Sequence, residues 1–120
     1  MSARREGPAI ELEITPRRQG QWAVLEVAGE IDAHTASRLR ESIRNELDRG
    51  RYQVIINLEG VSFMDSSGLG VLVSALKRIR EHDGELHLVS SQRTIVRVME
   101  VTGLDKVIPL HRNEAEAMAT

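Results

Sequence analysis

Two short apolar segments lie within the first thirty residues. Residues 10–14 have the period of two that predicts a half-buried strand. Pro16 is expected to stop this strand, and residues 17–20 can form a turn. A second apolar run begins at residue 22 and is expected to end near Gly29. The two strands are predicted to form an antiparallel hairpin.

The next segment changes to helical spacing. From Ala36, apolar residues recur in steps of three and four as far as Leu47, which predicts an amphipathic helix. Asp32 or Thr35 could cap the start of this helix, and Gly50 lies where it would end.

A continuous apolar run follows that helix. Residues 52–58 contain Val54, Ile55 and Ile56 in succession, as expected of a strand that is covered on both faces. This segment is predicted to be the central strand of a sheet.

Helical spacing returns after Asp65 and is followed by shorter elements. One stripe of this helix is predicted to face the core, and Gly84 is predicted to close the helix. The stripe consists of Leu69, Leu72, Val73, Leu76 and Ile79. The later predictions are a strand at 86–89, a helix bearing Ile95, Val98 and Met99 that is capped by Ser90 or Ser91 and stopped by Gly103, a strand at 107–110 and a last helical turn or two at 114–119.

These elements predict an α/β fold. A strand pair followed by helix–strand alternation implies a mixed four- or five-stranded sheet with helices packed against it, whose later strands are parallel. The length of 120 residues fits one domain. We expect residues 1–8 to be a flexible N-terminus and residues 9–120 to be the folded domain.

Composition narrows the function classes. Apolar residues make up 41% of the chain and charged residues 28%, as in ordinary soluble globular proteins. A net charge of -2 and only 2% aromatic residues disfavour nucleic-acid and anionic-lipid partners. The chain has no cysteine and no apolar run of membrane-spanning length, so a cytoplasmic location is expected.

The segment 61–70 carries the most unusual chemistry. It lies between the predicted central strand and the following helix, and it brings Asp65, Ser66 and Ser67 to the first helical turn. Unpaired amides and the helix dipole favour an anion there, so a phosphate on either serine would be accommodated. Ordinary helix capping by Asp or Ser explains the same residues equally simply.

Capping does not explain the two glycines in this segment. Gly68 and Gly70 each cost about 0.5–1 kcal/mol relative to Ala inside a helix. Either another element or protein approaches the backbone closely, or the glycines relieve crowding against the neighbouring strand, and both explanations stay open.

Catalytic interpretations of this segment lack the required spacing. A nucleophile elbow needs glycine two residues before the serine, where the chain has Met64. A phosphate-binding loop needs Lys after the second glycine, but Val71 follows Gly70. The histidines show no metal-ligand spacing and are expected at the surface or at helix ends, so no catalytic residue, metal or cofactor is predicted. They are His34, His82, His87 and His111.

At these residues the chain resembles a known family, the bacterial anti-sigma factor antagonists, whose fold is called the STAS domain. The resemblance runs from about Ile10 to Ala117. It is strongest in residues 57–59 and 61–71, where Phe-Met-Asp-Ser-Ser-Gly-Leu-Gly at 63–70 matches the family signature almost letter for letter. The segments 29–32 and 102–104 also resemble family landmarks.

The resemblance implies a phospho-switch. Ser66 matches the family's phosphorylated serine, and the implied partner is an anti-sigma factor with serine kinase activity. In the family, the unphosphorylated antagonist captures that kinase and so frees a sigma factor. A metal-dependent serine phosphatase restores the unphosphorylated form. The family also suggests a monomer when free.

The same resemblance implies a partner-binding surface around Ser66. Asp32 and Asp65 match acidic positions near the contact surface, and Ser67, Gly68 and Gly70 match the signature as contact or shape residues. Since the stripe from Leu69 to Ile79 is predicted to be core, we expect the opposite side of the helix, including Val71, to face the partner.

Two other functions are compatible with parts of this pattern. One is a STAS-like scaffold or transport-complex subunit that is never phosphorylated. The other is a small hydrolase, although no base–nucleophile pair is visible in the sequence. The intact Asp65, Ser66 and Ser67 favour the switch.

Overall fold

The computed structural model describes residues 12–119, so the expected flexible segment 1–8 lies outside the described residues. The strands in this range are β1 (Leu12–Gln19), β2 (Trp22–Ile31), β3 (Gln53–Met64), β4 (Glu85–Val89) and β5 (Leu110–His111). The helices are α1 (Ala36–Asp48), α2 (Ser66–Glu81), α3 (Arg93–Thr102) and α4 (Glu114–Met118), with a 3-10 turn at Leu104–Lys106.

The strands form one mixed sheet in sequence order. Across residues 12–119 the sheet has five strands in the order β1-β2-β3-β4-β5. β1 pairs antiparallel with β2, whereas the pairs β2–β3, β3–β4 and β4–β5 are parallel. The predicted α/β class, the hairpin and the parallel later strands are therefore confirmed.

The two faces of the sheet bury different sets of side chains. A large apolar core lies between one face and helices α1, α2 and α3. Because side chains alternate along a strand, neighbouring residues point to the other face. There Trp22, Val24, Ile55 and Val89 pack with Ala117 of α4 in a smaller cluster. No helix in the described part of the chain is long and apolar enough to span a bilayer.

The strand ends differ from prediction at prolines and glycines. Pro16 does not stop β1 but pairs with Leu25, because β1 is an edge strand and the missing amide need not bond to a second neighbour. β2 continues past Gly29, which has φ 121° at a register shift, and β3 continues past residue 58 to Met64. A Cβ at Gly60 would lie 2.9 Å from that of Ala28, so this pairing needs glycine.

The end of α2 also differs from prediction. The left-handed residue is Asp83, with φ 57°, and the amide of Gly84 then donates to the Ile79 carbonyl at 2.9 Å. Gly84 is needed for another reason, because a Cβ there would lie 2.1 Å from the carbonyl oxygen of Tyr52. Gly50 and Gly103 have positive φ at the ends of α1 and α3, as predicted.

The start of α3 and the last strand are corrected as well. Neither serine caps α3, because Gln92 is the N-cap residue and forms no side-chain cap bond. Ser90 Oγ accepts from the Gln92 amide at 3.0 Å, and the Ser91 amide donates to Glu59. The last strand is confined to Leu110–His111, since Val107 follows the 3-10 turn and is 42% exposed.

Candidate functional site

The parallel strands β2 and β3 end side by side and hold the start of α2 in place. Ile31 pairs with Met64, and the Asp65 amide donates to the Ile31 carbonyl at 3.1 Å. Asp65 is the N-cap residue of α2, and its Oδ1 accepts from the Ser67 amide at 2.8 Å. The capping interpretation is therefore confirmed for Asp65, and it makes Ser66 the first residue of the helix.

Ser66 is exposed at this position. Its hydroxyl forms no hydrogen bond with the residues that the structure describes. The side chain is open to a visiting protein, while its backbone belongs to the helix turn that carries unpaired amides. The geometry therefore presents one free hydroxyl at the positive end of a 16-residue helix.

The two glycines after Ser66 differ in how closely other residues approach them. A Cβ at Gly68 would lie 2.6 Å from Ile31 Cγ2 and 2.7 Å from Met64 Cγ, so the β2 and β3 ends approach the helix closely there. A Cβ at Gly70 would meet nothing within 4 Å, and Gly70 is exposed. The structure thus explains Gly68 by packing but gives no internal reason for Gly70.

The burial of side chains along α2 contradicts one prediction. Val71 is only 2% exposed and belongs to the main core, whereas Val73 is 47% exposed. The prediction that Val71 faces outward is wrong, because α2 packs against α1 as well as the sheet and buries Val71 and Ala75. The predicted core stripe is wrong for Val73, while Leu72, Leu76 and Ile79 are buried as expected.

Four exposed residues lie at the end of β3 and in the first half of α2, and we call this set the Ser66 face: Phe63, Ser66, Gly70 and Val73. Ser66, Gly70 and Val73 are spaced by four and three residues, so they share one side of α2. Phe63 precedes the helix at the end of β3 and is 44% exposed. Phe63 and Val73 were missed as site residues, although counting helical turns from Ser66 would have identified Val73.

Asp32 lies in the loop after β2, beside the start of α2. Its Oδ1 accepts from the amides of His34 at 2.8 Å and Thr35 at 3.1 Å. Desolvation raises the pKa of Asp32, but these hydrogen bonds outweigh it and hold the pKa below its ordinary value. Asp32 thus orders the loop that enters α1 and stays ionised at neutral pH.

The two predicted caps of α1 differ, because Asp32 accepts from the turn amides just before the helix and its carbonyl accepts from the Ala36 amide at 2.8 Å. Thr35 occupies the N-cap position but forms no side-chain cap bond. Its Oγ1 instead donates to the Glu30 carbonyl at 2.8 Å and accepts from the Asp32 amide at 2.9 Å. Asp32 and Asp65 therefore follow paired strand ends, on neighbouring loops at the same edge of the sheet.

The histidines follow the prediction only in part. His34 is exposed, and His82 is the C-cap residue of α2. His87 contradicts it, because this ring is only 3% exposed in β4 and contacts His111. Within residues 12–119 no group of three or more His, Cys, Asp or Glu side chains could hold a metal ion.

Comparison with known proteins places this geometry in a wider context. The sequence profile of the STAS domain matches residues 10–117. An anti-sigma-B factor antagonist of Staphylococcus aureus is 35% identical over 105 residues, covering 88% of this chain and 95% of that protein. An anti-sigma-B factor antagonist of Listeria monocytogenes is 40% identical over 107 residues, covering 89% and 93%.

Solved structures agree with these sequence relatives. An anti-sigma factor antagonist from Mycobacterium paratuberculosis superposes with a TM-score of 0.85 at 27% identity, covering 91% of this chain and 92% of that one. The antagonist SpoIIAA in its unphosphorylated form gives 0.76 at 26% identity, covering 88% and 93%. The Bacillus SpoIIAA in its phosphorylated form gives 0.70 at 26% identity, covering 89% and 97%.

Proposed function

Because this chain belongs to the STAS domain family, we propose that it is an anti-sigma factor antagonist controlled by phosphorylation of Ser66. With Ser66 unmodified, the chain binds an anti-sigma factor and so releases a sigma factor. With Ser66 phosphorylated, it no longer binds. The switch operates in the cytoplasm, where sigma factors meet RNA polymerase.

The observation that carries this proposal is the exposed Ser66 hydroxyl at the first position of α2. Phosphorylation adds a charge of about -1.5 to -2 at neutral pH. The unpaired amides and dipole of the helix start stabilise a negative charge by roughly 0.3–1 kcal/mol. The domain itself should therefore tolerate the phosphate without unfolding.

A docked partner should be less tolerant of the same charge. The phosphate would be carried by the residue next to Asp65, whose carboxylate caps the same helix turn, while Asp32 follows the neighbouring strand end. Val73 is an exposed apolar side chain on the same side of α2. Covering such a surface would bury a dianion among like charges and apolar groups, which costs both repulsion and desolvation. A coupling of about 1–3 kcal/mol would weaken binding by about 5- to 150-fold.

The chemistry of modification belongs to other proteins in this proposal. The anti-sigma factor, acting as a serine kinase, binds ATP and magnesium, and its active site must reach the Ser66 hydroxyl. A serine phosphatase removes the phosphate and restores the binding form. The chain contributes one accessible hydroxyl and a surface that includes Asp32, Asp65, Ser67 and Gly70. Gly68 contributes indirectly, by allowing the close packing that sets the position of the helix.

Isothermal titration with the purified anti-sigma factor tests the charge effect. Ser66→Asp should weaken binding at least fivefold while leaving the urea midpoint within error of the parent protein. Ser37→Asp is the matched control, because Ser37 is an exposed serine in the first turn of α1. Equal affinity of Ser66→Asp and the parent, or equal weakening by Ser37→Asp, would contradict the proposal.

Incubation with the kinase, ATP and magnesium tests the acceptor and separates the switch from a scaffold that is never phosphorylated. Mass spectrometry should find one phosphate on the parent chain and on Ser67→Ala, and none on Ser66→Ala. Absence of phosphate on the parent chain despite measurable binding would favour the scaffold. Phosphate on Ser66→Ala would show that another residue is the acceptor and would contradict the assignment to Ser66.

A further inference from the structure

A histidine pair, with His87 buried and His111 half-buried, lies on the sheet face opposite the main core. His87 of β4 is 3% exposed, and its Nδ1 lies 2.9 Å from Nε2 of His111 in β5. The second ring nitrogen of His87, Nε2, lies 3.0 Å from Glu85 Oε1. The two imidazoles are therefore joined to each other and to one carboxylate.

These contacts assign the protons of the neutral pair. An ionised carboxylate only accepts hydrogen bonds, so Nε2 of His87 must donate to Glu85. Nδ1 of His87 is then unprotonated and accepts from Nε2 of His111. One added proton can sit on Nδ1 of His111 and leave this bond intact. A second added proton must go to Nδ1 of His87. The N–H groups of two positively charged rings would then face each other, and the bond between them would be lost.

β5 has only two residues, of which Leu110 packs against the main core and His111 contacts His87. The described backbone bonds that join it to β4 include Leu88 N–H to the Pro109 carbonyl and Ser90 N–H to the His111 carbonyl, each at 2.9 Å. The His87 ring also meets the Trp22 ring edge-on, with the centroids 5.3 Å apart at 86°. A change at the histidine pair should therefore reach both the β4–β5 pairing and Trp22.

The charged groups around the pair come from several elements. β4 contributes Glu85, and α4 contributes Glu116, which raises the pKa of His111. β2 and β3 present the uncharged Trp22 and Ile55. His111 also borders a cleft that exposes further charges, from Arg93, Glu100, Asp105 and Arg112.

The balance of these influences lowers the pKa of His111. Burial is the largest cause, His87 adds to it, and Glu116 opposes both. Because the folded pKa of His111 lies below the unfolded value of about 6.5, the contribution of neutral His111 to stability is fully present above that pH and is lost as the pH falls through the lower, folded value. This first proton leaves the bond to His87 in place.

We propose that the His87–His111 bond is a pH-sensitive latch that fixes β5 against β4 and opens when the pair binds a second proton. The start of α4 should stay in place, because Glu114 bonds to Arg17 and to Asn57 on the sheet. Burial raises the pKa of Glu114, but these bonds outweigh it and lower the pKa overall.

A pH titration from 8 to 4 on the full chain tests the latch. NMR of the ring protons should show that the pair takes up its two protons in two coupled steps, the second at a lower pH than the first. The emission of Trp22, the single tryptophan of the chain, should change with the lower step. Exchange of the Leu88 and Ser90 amides, corrected for intrinsic rate, should accelerate about tenfold there while the start of α4 keeps its protection.

Two variants complete the test. His111→Phe keeps a ring but cannot titrate, so the low-pH change in Trp22 emission should disappear. His34→Gln removes an exposed histidine and should leave that change intact. Independent titration of both rings in ordinary single steps with constant Trp22 emission would overturn the latch, as would cooperative unfolding of the whole domain in the same step. If His111→Phe does not fold, the NMR titration of the parent chain decides alone.

Discussion

The two faces of α2 differ in what they contact, although they alternate within the same sixteen residues. On one face Gly68, Val71 and Leu72 pack against strand ends, α1 and the sheet. On the other, Ser66, Gly70 and Val73 have open space or exposed surface. The comparison teaches that one face of this helix serves stability and leaves the other free for the proposed recognition, and substitutions on the two faces should separate these roles.

The largest effect is expected from a charge on the buried face. Val71→Asp would place an unpaired carboxylate at a site that is 2% exposed, which should lower the free energy of unfolding by more than about 3 kcal/mol. Val73→Asp, two residues away on the open face, should change it by no more than about 0.5 kcal/mol. Urea unfolding of both variants checks this, and equal destabilisation by the two substitutions would contradict the difference between the faces.

A smaller contrast is expected from the two glycines. Gly68→Ala must push aside Ile31 and Met64, whose atoms would lie 2.6 and 2.7 Å from the new Cβ. Overpacking of this kind costs about 1–3 kcal/mol. Gly70→Ala meets nothing within 4 Å and should stabilise the helix by about 0.5–1 kcal/mol. Thermal or urea unfolding should therefore give opposite signs, and the same sign for both would contradict the assigned roles.

The open face should show its effect in binding. Val73→Asp should weaken the anti-sigma factor complex about tenfold, a loss of about 1.4 kcal/mol, because a carboxylate would replace an apolar contact. Val101→Asp is the matched control, since Val101 is 75% exposed on α3. Titration calorimetry compares the two, and an unchanged affinity for Val73→Asp would exclude Val73 from the interface.

The smallest effect concerns the loop beside the Ser66 face. Since the folded pKa of Asp32 is lowered, its contribution to stability is present above the ordinary value of about 3.9 and is lost as pH falls through the folded value. Asp32→Asn should thus be slightly less stable than the parent at pH 7 and equally stable in strong acid. Urea midpoints across this range check it, and a difference that does not vary with pH would refute the charge as its cause.

Much of the architecture was predictable because its patterns are local and strong. Val54, Ile55 and Ile56 indicate a strand covered on both faces, and all three are completely buried. Gly50 and Gly103 lie at helix ends where a left-handed residue is needed. The same holds for Asp65, whose position before an apolar helical pattern suffices to predict the cap.

The predictions that were wrong share a physical cause: the residues concerned contact partners that are distant in the sequence. Pro16 continues a strand only because β1 lies at the sheet edge. Val71 is buried because α1 covers it, a contact that the spacing within α2 does not specify. His87 and His111 meet because β5 pairs with β4, although 24 residues separate them in the chain.

The central claim is that phosphate on Ser66 blocks docking and spares the fold. Its most direct test uses the chain phosphorylated by its kinase, with the affinity for the anti-sigma factor and the urea midpoint measured on the same sample. The account predicts a loss of affinity of about 5- to 150-fold with an unchanged or slightly higher midpoint. Undiminished affinity, or a loss of affinity accompanied by unfolding of the domain, would contradict it.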